Sequence, residues 1–204
     1  LHFPAVMGIV NLTPDSFSDG GQFLSPEDAV AHARHMVEQG AQIIDLGGES
    51  TRPGSEPVSE QDELARVLPV IERLLKEDFV LSLDTTKPAV ALAGLQAGIS
   101  ILNDVSGGNQ EMLEHASRFQ AGYVLMHTQG SPQTMQDSPK YDDVVEEVRA
   151  FFDEKAEDLQ ALELPRLWID PGIGFGKTLE HNLALMRELD ELIDPPWGIL
   201  LGSS

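Results

Sequence analysis

The stretch from Val6 to Gly21 reads Val-Met-Gly-Ile-Val-Asn-Leu-Thr-Pro-Asp-Ser-Phe-Ser-Asp-Gly-Gly. Its first part, Val6–Val10, is a short apolar run of the kind that forms a strand buried on both faces. From Asn11 onward it has almost no core-forming side chains. Active sites of α/β proteins are built where a buried strand ends in a polar residue and opens into a polar loop. The stretch therefore indicates an α/β enzyme, although a strand followed by a long turn remains the alternative for Asn11 taken alone.

The same pattern of apolar strand, polar residue, loop and amphipathic helix recurs along the chain. Short strands that are apolar on both faces are typical of a parallel sheet, and their alternation with helices predicts a parallel α/β architecture. The predicted strands are Val6–Val10, Gln42–Leu46, Val80–Leu83, Ser100–Leu102, Gly122–Met126, Leu167–Ile169 and Gly198–Leu201.

Capping residues and apolar stripes predict a helix after most of these strands. The last helix is expected to run from Leu179 to Ile193 and to bury Leu183, Met186, Leu189 and Ile193. One predicted helix starts at Ser25 and ends at Gly40, and a second starts at Ser59 and has an apolar stripe that reaches Leu75. The remaining three cover Pro88–Ala97, Gln110–Phe119 and Asp142–Leu162.

Polar residues or glycines follow every predicted strand, namely Asn11, Gly48, Asp84, Asn103, His127, Asp170 and Gly202. A doubly wound sheet concentrates its ligands at one switch point, whereas a ring of such loops is typical of a TIM (β/α)8 barrel. We therefore predict that barrel, with the eighth strand and last helices missing from the 204 residues. Because an unclosed barrel would leave strand edges unpaired, we expect residues 1–204 to be a single, C-terminally incomplete barrel domain.

The composition limits the possible partners. A hydrophobic content of 41% and a mean hydropathy of -0.14 indicate a soluble globular protein. The absence of cysteine excludes disulfides and thiolate metal sites and fits a cytoplasmic location. The formal net charge of -21 argues against nucleic acid and anionic membranes as partners. An anionic ligand would need local cations and a metal ion to overcome this field.

The run Gly47–Gly54 reads Gly-Gly-Glu-Ser-Thr-Arg-Pro-Gly and follows the second predicted strand. Thr51 and Arg52 can bind phosphate oxygens or a carboxylate, which Arg does in a bidentate manner. A Thr-Arg pair is more often a surface salt-bridge partner. Its place on the expected catalytic face, in a chain with only 13 Lys and Arg residues, favours anion binding here.

Further polar residues end strands three, four and six. Asp84, Asn103 and Asp170 suit a flat ring with a guanidine-like edge, because adjacent N–H groups can donate to both oxygens of one carboxylate. A pterin is such a ring, but these residue types do not single it out. The alternative role for Asp84, Asn103 and Asp104 is to cap the following helix or turn.

The run Asp170–Thr178 is rich in glycine and reads Asp-Pro-Gly-Ile-Gly-Phe-Gly-Lys-Thr. It is not a P-loop, because the first glycine of that motif would fall at position 171, which is proline, and it lacks the third glycine of a dinucleotide fingerprint. Phe175 is placed to lie against a flat ligand, and Met126 would supply an apolar wall. His127 is expected to satisfy a local hydrogen bond.

With these motifs in place, the chain closely resembles the dihydropteroate synthases over all 204 residues. That resemblance implies a (β/α)8 barrel, usually a homodimer, which uses Mg²⁺ and is a target of sulfonamides. It also implies the joining of a dihydropterin-methyl diphosphate to 4-aminobenzoate, with release of pyrophosphate, in folate synthesis. The matching runs are Asn11–Gly21, Gly47–Gly54, Asp84–Pro88, Gln129–Pro132, Thr134–Gln136, Pro139–Asp142 and Asp170–Lys177.

The resemblance also implies roles for single residues. Asn11 corresponds to the magnesium ligand near the diphosphate, and Thr51 to the threonine that binds the diphosphate. Three residues, Asp84, Asn103 and Asp170, correspond to those at the pterin edge. Those that shape the aminobenzoate site are Arg52, Pro53 and Phe17. Breaking the C–O bond builds negative charge on the diphosphate and positive charge on the pterin methylene, so Arg52, Asp84 and Asp170 are the expected catalytic residues.

Two alternatives remain at this point. A methyltetrahydrofolate-binding methyltransferase shares the barrel and the Asp–Asn–Asp pocket, but it has no reason to contain the anion loops Asn11–Gly21 and Thr51–Gly54. The second is a catalytically inactive pterin-binding fragment. It arises because the family continues beyond Gly202 with an Arg-Lys pair, an eighth strand and an Arg-x-His motif, which lie outside the 204 residues.

Overall fold

The computed structural model describes residues 4–13, 25–50, 55–130, 134–192 and 197–202. The contacts divide the chain into two compact units. Unit 1 comprises Leu1–Ser50 and Pro57–Asn103, and unit 2 comprises Thr51–Glu56 and Asp104–Ser204. The expectation of one domain over residues 1–204 stays a prediction.

Unit 1 is a parallel sheet whose strands are connected by helices. Each strand pairs with the next strand along the chain, so β1, β2, β3 and β4 are neighbours in that order. The elements are β1 (Met7–Asn11), α1 (Pro26–Glu38), β2 (Ile43–Gly47), α2 (Glu60–Leu74), β3 (Val80–Asp84), α3 (Pro88–Ala97) and β4 (Ile101–Asp104), the last residue of which belongs to unit 2.

Unit 2 repeats this arrangement, with β6 parallel to both β5 and β7. A short 3-10 helix, Leu189–Leu192, follows its last α-helix. The other elements are α4 (Gln110–Phe119), β5 (Gly122–Met126), α5 (Val144–Ala161), β6 (Leu167–Asp170), α6 (Leu179–Arg187) and β7 (Gly198–Ile199).

Strands in chain order, each followed by a helix that returns the chain to the same end of the sheet, are the architecture of a (β/α)8 barrel. The described residues contain seven of its strands. The predicted fold class is therefore confirmed. None of the helices in the described ranges is long and apolar enough to cross a membrane.

Local signals account for most helix ends. The Ser25 side chain accepts a hydrogen bond from the Asp28 backbone N–H at 3.1 Å, and Ser59 caps α2 in the same way through Asp62 at 3.1 Å. Gly98 ends α3 with a positive φ of 119°, which is accessible to glycine at little cost. The sequence predicted all three of these ends.

The prediction for the last helix was wrong. The α-helix ends at Arg187, and Leu183 and Met186, which were expected in the core, are 50% and 44% exposed. The buried residues are instead Leu185 and Leu192. Apolar residues lie on more than one face of α6, so their spacing does not determine which face packs inward, and the change to a 3-10 turn shifts the phase after Arg187.

Candidate active site

Residues at or next to the carboxyl ends of the four strands of unit 1 form one row across the sheet. Asn11 pairs with Gly47, Gly47 pairs with Asp84, and Asp84 pairs with Asn103. A Cβ atom built on Gly47 would lie 3.4 Å from Oδ1 of Asn11 and 3.7 Å from Oδ2 of Asp84. Both side-chain oxygens therefore flank Gly47 on one face of the sheet, and the missing side chain leaves a notch between them.

Asp45 is a further polar residue on the same face of the sheet, in the next row on that face towards the amino ends of the strands. Asp45 is two residues before Gly47 on β2, and it pairs with Ser82 on β3. Its Oδ2 accepts a hydrogen bond of 3.0 Å from Nδ2 of Asn103. Burial raises the pKa of Asp45, and the hydrogen bond from Asn103 opposes that shift. Sequence reasoning missed Asp45, although an aspartate inside a buried apolar strand was a usable signal.

The carboxylate of Asp104, the residue after Asn103, accepts several hydrogen bonds from neighbouring groups. Its carboxylate accepts hydrogen bonds from the backbone N–H groups of Ser106 at 2.8 Å, Gly108 at 3.2 Å and Asn109 at 3.1 Å. The Tyr123 hydroxyl also donates to it, and burial together with this carboxylate raises the pKa of Tyr123. Asp104 thus organises the turn before α4, as the capping alternative predicted.

In unit 2, Met126 and Asp170 are paired residues at the carboxyl ends of β5 and β6. Asp170 is 8% exposed, and its Oδ1 accepts a hydrogen bond of 2.7 Å from the backbone N–H of Gly172. Burial raises the pKa of Asp170 to about 6, against the opposing effects of this N–H group and of Lys177. The carboxyl group is therefore mostly ionised at neutral pH and gains its proton near pH 6.

The side chain of Lys177 stabilises the glycine-rich loop after β6. The sequence analysis did not identify this residue. Its buried Nζ contacts Nδ1 of His127 at 3.0 Å, the carbonyl oxygen of His127 at 3.3 Å and that of Phe175 at 3.0 Å. Burial lowers the pKa of Lys177 to about 8, and burial with the nearby Lys177 charge lowers the pKa of His127 to about 3. His127 thus has the local hydrogen-bonding role that the sequence predicted.

The same loop packs tightly against the end of β5. A Cβ atom on Gly172, where φ is +67°, would lie 2.0 Å from the carbonyl oxygen of His127, so glycine is required there. Phe175 is half-buried and donates its backbone N–H to the Gly172 carbonyl oxygen at 3.0 Å. The predicted site residues Thr51, Arg52, Pro53 and Phe17 lie outside the described residues.

Comparison with known proteins decides the family. The model of the family described as pterin binding enzyme matches residues 7–204. A dihydropteroate synthase from Synechocystis sp. is 47% identical over 204 residues, which cover 98% of this chain and 71% of the relative.

The chain belongs to the dihydropteroate synthase family.

Two solved structures support this assignment. The dihydropteroate synthase of Yersinia pestis, in complex with a sulfonamide drug, matches with a TM-score of 0.91 and 45% identity, covering 98% of this chain and 74% of that one. The Thermus thermophilus enzyme in complex with 4-aminobenzoate matches with a TM-score of 0.85 and 42% identity, covering 97% and 72%. The family predicted from the sequence is thereby confirmed.

The residues at the end of β1 fit the magnesium ion that the dihydropteroate synthase resemblance implies. The described ranges contain no group of three or more His, Cys, Asp or Glu side chains that could hold a metal ion by itself. Mg²⁺ keeps several waters and takes few protein oxygens alongside substrate phosphates. The Asn11 amide oxygen, which would lie 3.4 Å from a Cβ atom on Gly47, offers one such ligand at the carboxyl end of β1.

A partly buried ionic cluster contacts the chain on both sides of residues 51–54, which belong to the matching run Gly47–Gly54. Glu49 accepts a hydrogen bond of 2.8 Å from the backbone N–H of Val58. Lys87 donates to Glu49 and also to Glu63, the latter at 2.6 Å. Arg66 donates to the Gly48 carbonyl oxygen at 2.7 Å. The sequence analysis did not find this cluster, because its members are far apart along the chain.

Proposed function

We propose that this chain is a transferase that condenses 6-hydroxymethyl-7,8-dihydropterin diphosphate with 4-aminobenzoate, giving 7,8-dihydropteroate and pyrophosphate in folate biosynthesis. The observation on which the proposal rests is the row Asn11, Gly47, Asp84 and Asn103, which gathers oxygen-bearing side chains around a glycine notch at the carboxyl ends of parallel strands. The family assignment supports this reaction, and the cysteine-free sequence is in keeping with a cytoplasmic enzyme.

The proposed pterin ligands are Asp84, Asn103 and Asp170. A carboxylate accepts two parallel N–H donors, which is the pattern at the edge of a pterin ring. Near-complete burial supports this assignment for Asn103 and Asp170, which are both 8% exposed, because a buried polar oxygen gains most from a ligand donor. Met126 and Phe175 are proposed as apolar walls of the pterin site.

The remaining roles follow the resemblance. Thr51 binds the diphosphate, and Arg52, Pro53 and Phe17 shape the aminobenzoate site. Asn11 would hold Mg²⁺ together with substrate phosphate oxygens, and the ion would supply positive charge to the leaving diphosphate.

Charge development favours a dissociative reaction. As the C–O bond breaks, negative charge grows on the diphosphate beside Arg52, and positive charge grows on the pterin methylene. The carboxylates of Asp84 and Asp170 stabilise that positive charge. The aminobenzoate nitrogen then attacks the methylene carbon, and no covalent protein intermediate is needed.

We also propose a homodimer, as the resemblance implies. Three apolar side chains of α6 are exposed, namely Leu179 at 67%, Leu183 at 50% and Met186 at 44%. An exposed group of apolar side chains supports a protein–protein interface at this helix. Light scattering after gel filtration should give twice the chain mass, and Leu183→Glu should reduce it towards one chain.

The reaction is tested by incubating the protein with dihydropterin diphosphate, 4-aminobenzoate and Mg²⁺. Equal amounts of dihydropteroate and pyrophosphate are expected, and Asp84→Asn should reduce their rate of formation at least tenfold. Pterin binding without product would instead identify a catalytically inactive pterin-binding protein. Methyl transfer from methyltetrahydrofolate would identify the alternative methyltransferase.

A further inference from the structure

The hydrogen bond between Asp45 and Asn103 spans three strands. Asp45 lies on β2 and Asn103 lies on β4, with β3 between them. Two strand spacings amount to about 10 Å, so the two side chains must meet above the intervening strand. The residue of β3 that pairs with Asp45 is Ser82, which is fully buried and small enough to leave that space.

The hydrogen bond from Asn103 to Asp45 determines the orientation of the Asn103 side-chain amide. The amide has one end that donates and one that accepts, and the Asp45 carboxylate oxygen accepts the hydrogen bond from Nδ2 at 3.0 Å. The opposite end, Oδ1, is buried and has no hydrogen-bond partner within the described ranges. A buried amide oxygen without a partner is costly unless a ligand donor completes it.

We propose that Asp45 is a positioning residue that fixes the Asn103 amide with Oδ1 available to an N–H donor of the pterin substrate. The inference rests on the proposed function and extends it to a side chain that does not itself contact the substrate. Without the Asp45 acceptor, the Asn103 amide can rotate so that Nδ2 faces the pterin. Two hydrogen-bond donors would then face each other, and no hydrogen bond could form between them.

A role in packing alone does not account for the observations. An aspartate that is 2% exposed in a buried strand costs desolvation free energy, which an aliphatic residue of similar size would avoid. The hydrogen bond that its carboxylate accepts among the described residues comes from Asn103. Asn103 belongs to the row of paired residues near the strand ends that is proposed to bind substrate.

The test is a double-mutant cycle with Asp45→Asn and Asn103→Ala. Asp45→Asn keeps the shape but permits either amide orientation, so we expect the KM for dihydropterin diphosphate to rise about tenfold, which is about 1.4 kcal/mol at 25 °C. The KM for 4-aminobenzoate and kcat should change less than twofold. In the Asn103→Ala background, Asp45→Asn should cause no further change, because the amide through which it acts is gone.

The same rise in KM in both backgrounds would overturn the proposal, as would an unchanged KM in Asp45→Asn. Asp45→Ala removes the acceptor altogether and replaces Asp45→Asn in the cycle if that variant does not fold. Ser82→Ala is the control that leaves the Asp45–Asn103 bond in place and should keep KM within twofold.

The proposed function and this inference fail in different ways. If the wild-type protein forms no dihydropteroate, the proposed reaction is wrong, and the same cycle is then measured as calorimetric affinity for dihydropterin diphosphate. Coupling between Asp45 and Asn103 in that affinity would support the positioning role without catalysis. Independent effects, or no pterin binding by the wild-type protein, would overturn it.

Discussion

At the scale of single residues, Asp170 links pterin binding to pH. Its pKa of about 6 means that the carboxylate, which can accept two N–H groups, gains a proton as the pH falls through 6. We therefore expect the affinity for 6-hydroxymethylpterin, which has no diphosphate to titrate, to fall between pH 7 and pH 5 with a midpoint near 6. Calorimetry at several pH values measures this profile.

The matched control is Asp170→Asn. At pH 7.5 it should weaken pterin binding at least about tenfold, because a charged hydrogen bond contributes roughly 1.5–3 kcal/mol, and it should remove the dependence on pH. His127, whose pKa is about 3, does not titrate in this window. If the midpoint persists in Asp170→Asn, another group is responsible.

Asn11 provides a second prediction, which concerns the metal ion. Because its oxygen borders the Gly47 notch, Asn11→Ala should reduce the affinity gain that Mg²⁺ gives to the diphosphate substrate. The measurement compares dihydropterin diphosphate binding with Mg²⁺ and with EDTA. Affinity for 6-hydroxymethylpterin should stay unchanged. An unaltered magnesium effect would remove Asn11 from the metal site.

At the scale of structural elements, Lys87 joins the ends of β2 and β3 to α2. Its partner Glu63 has a side chain that is 0% exposed. Lys87→Met would leave that buried carboxylate without its cation, and breaking a buried pair in this way costs about 3–5 kcal/mol. Urea unfolding should show this loss, and the double variant Lys87→Met/Glu63→Leu should recover most of it. Equal stability of the wild-type protein and Lys87→Met would contradict the role of the cluster.

The strands and most helices could be predicted because their signals are local. Each predicted strand is present, and the polar residue that was expected to follow it is often its last member, as for Asn11, Asp84 and Asp170. The side-chain partnerships were not predictable in this way. Asp45 and Asn103 are 58 positions apart, and Lys87 and Glu63 are 24 apart, so only the fold brings them together. Helix α6 was misjudged because two of its faces have apolar residues.

At the scale of the whole molecule, the alternation of strands and helices predicted a parallel α/β architecture, and the polar residues after the strands predicted the barrel. The matching sequence runs predicted the family. The physical argument alone reached only a flat ligand with a guanidine-like edge. The diphosphate and the aminobenzoate came from the resemblance, since the motif of Thr51 and Arg52 is equally compatible with a carboxylate or a phosphate. The residue roles assigned by that resemblance stay predictions.

The net charge of -21 leads to a last prediction about substrate capture. The 4-aminobenzoate carboxylate approaches a strongly acidic protein, and at an ionic strength of about 0.01 M the Debye length of about 30 Å lets the whole charge repel it. At about 0.15 M the length falls to about 8 Å, so only nearby groups such as Arg52 still act on the substrate. We therefore expect kcat/KM for 4-aminobenzoate to rise about two- to threefold when KCl is increased over this range at constant, low Mg²⁺ and saturating pterin. The inhibition constant of an uncharged sulfonamide, measured in parallel, should change little. A fall in kcat/KM with added salt would show that local cations, rather than the global charge, govern the approach of the substrate.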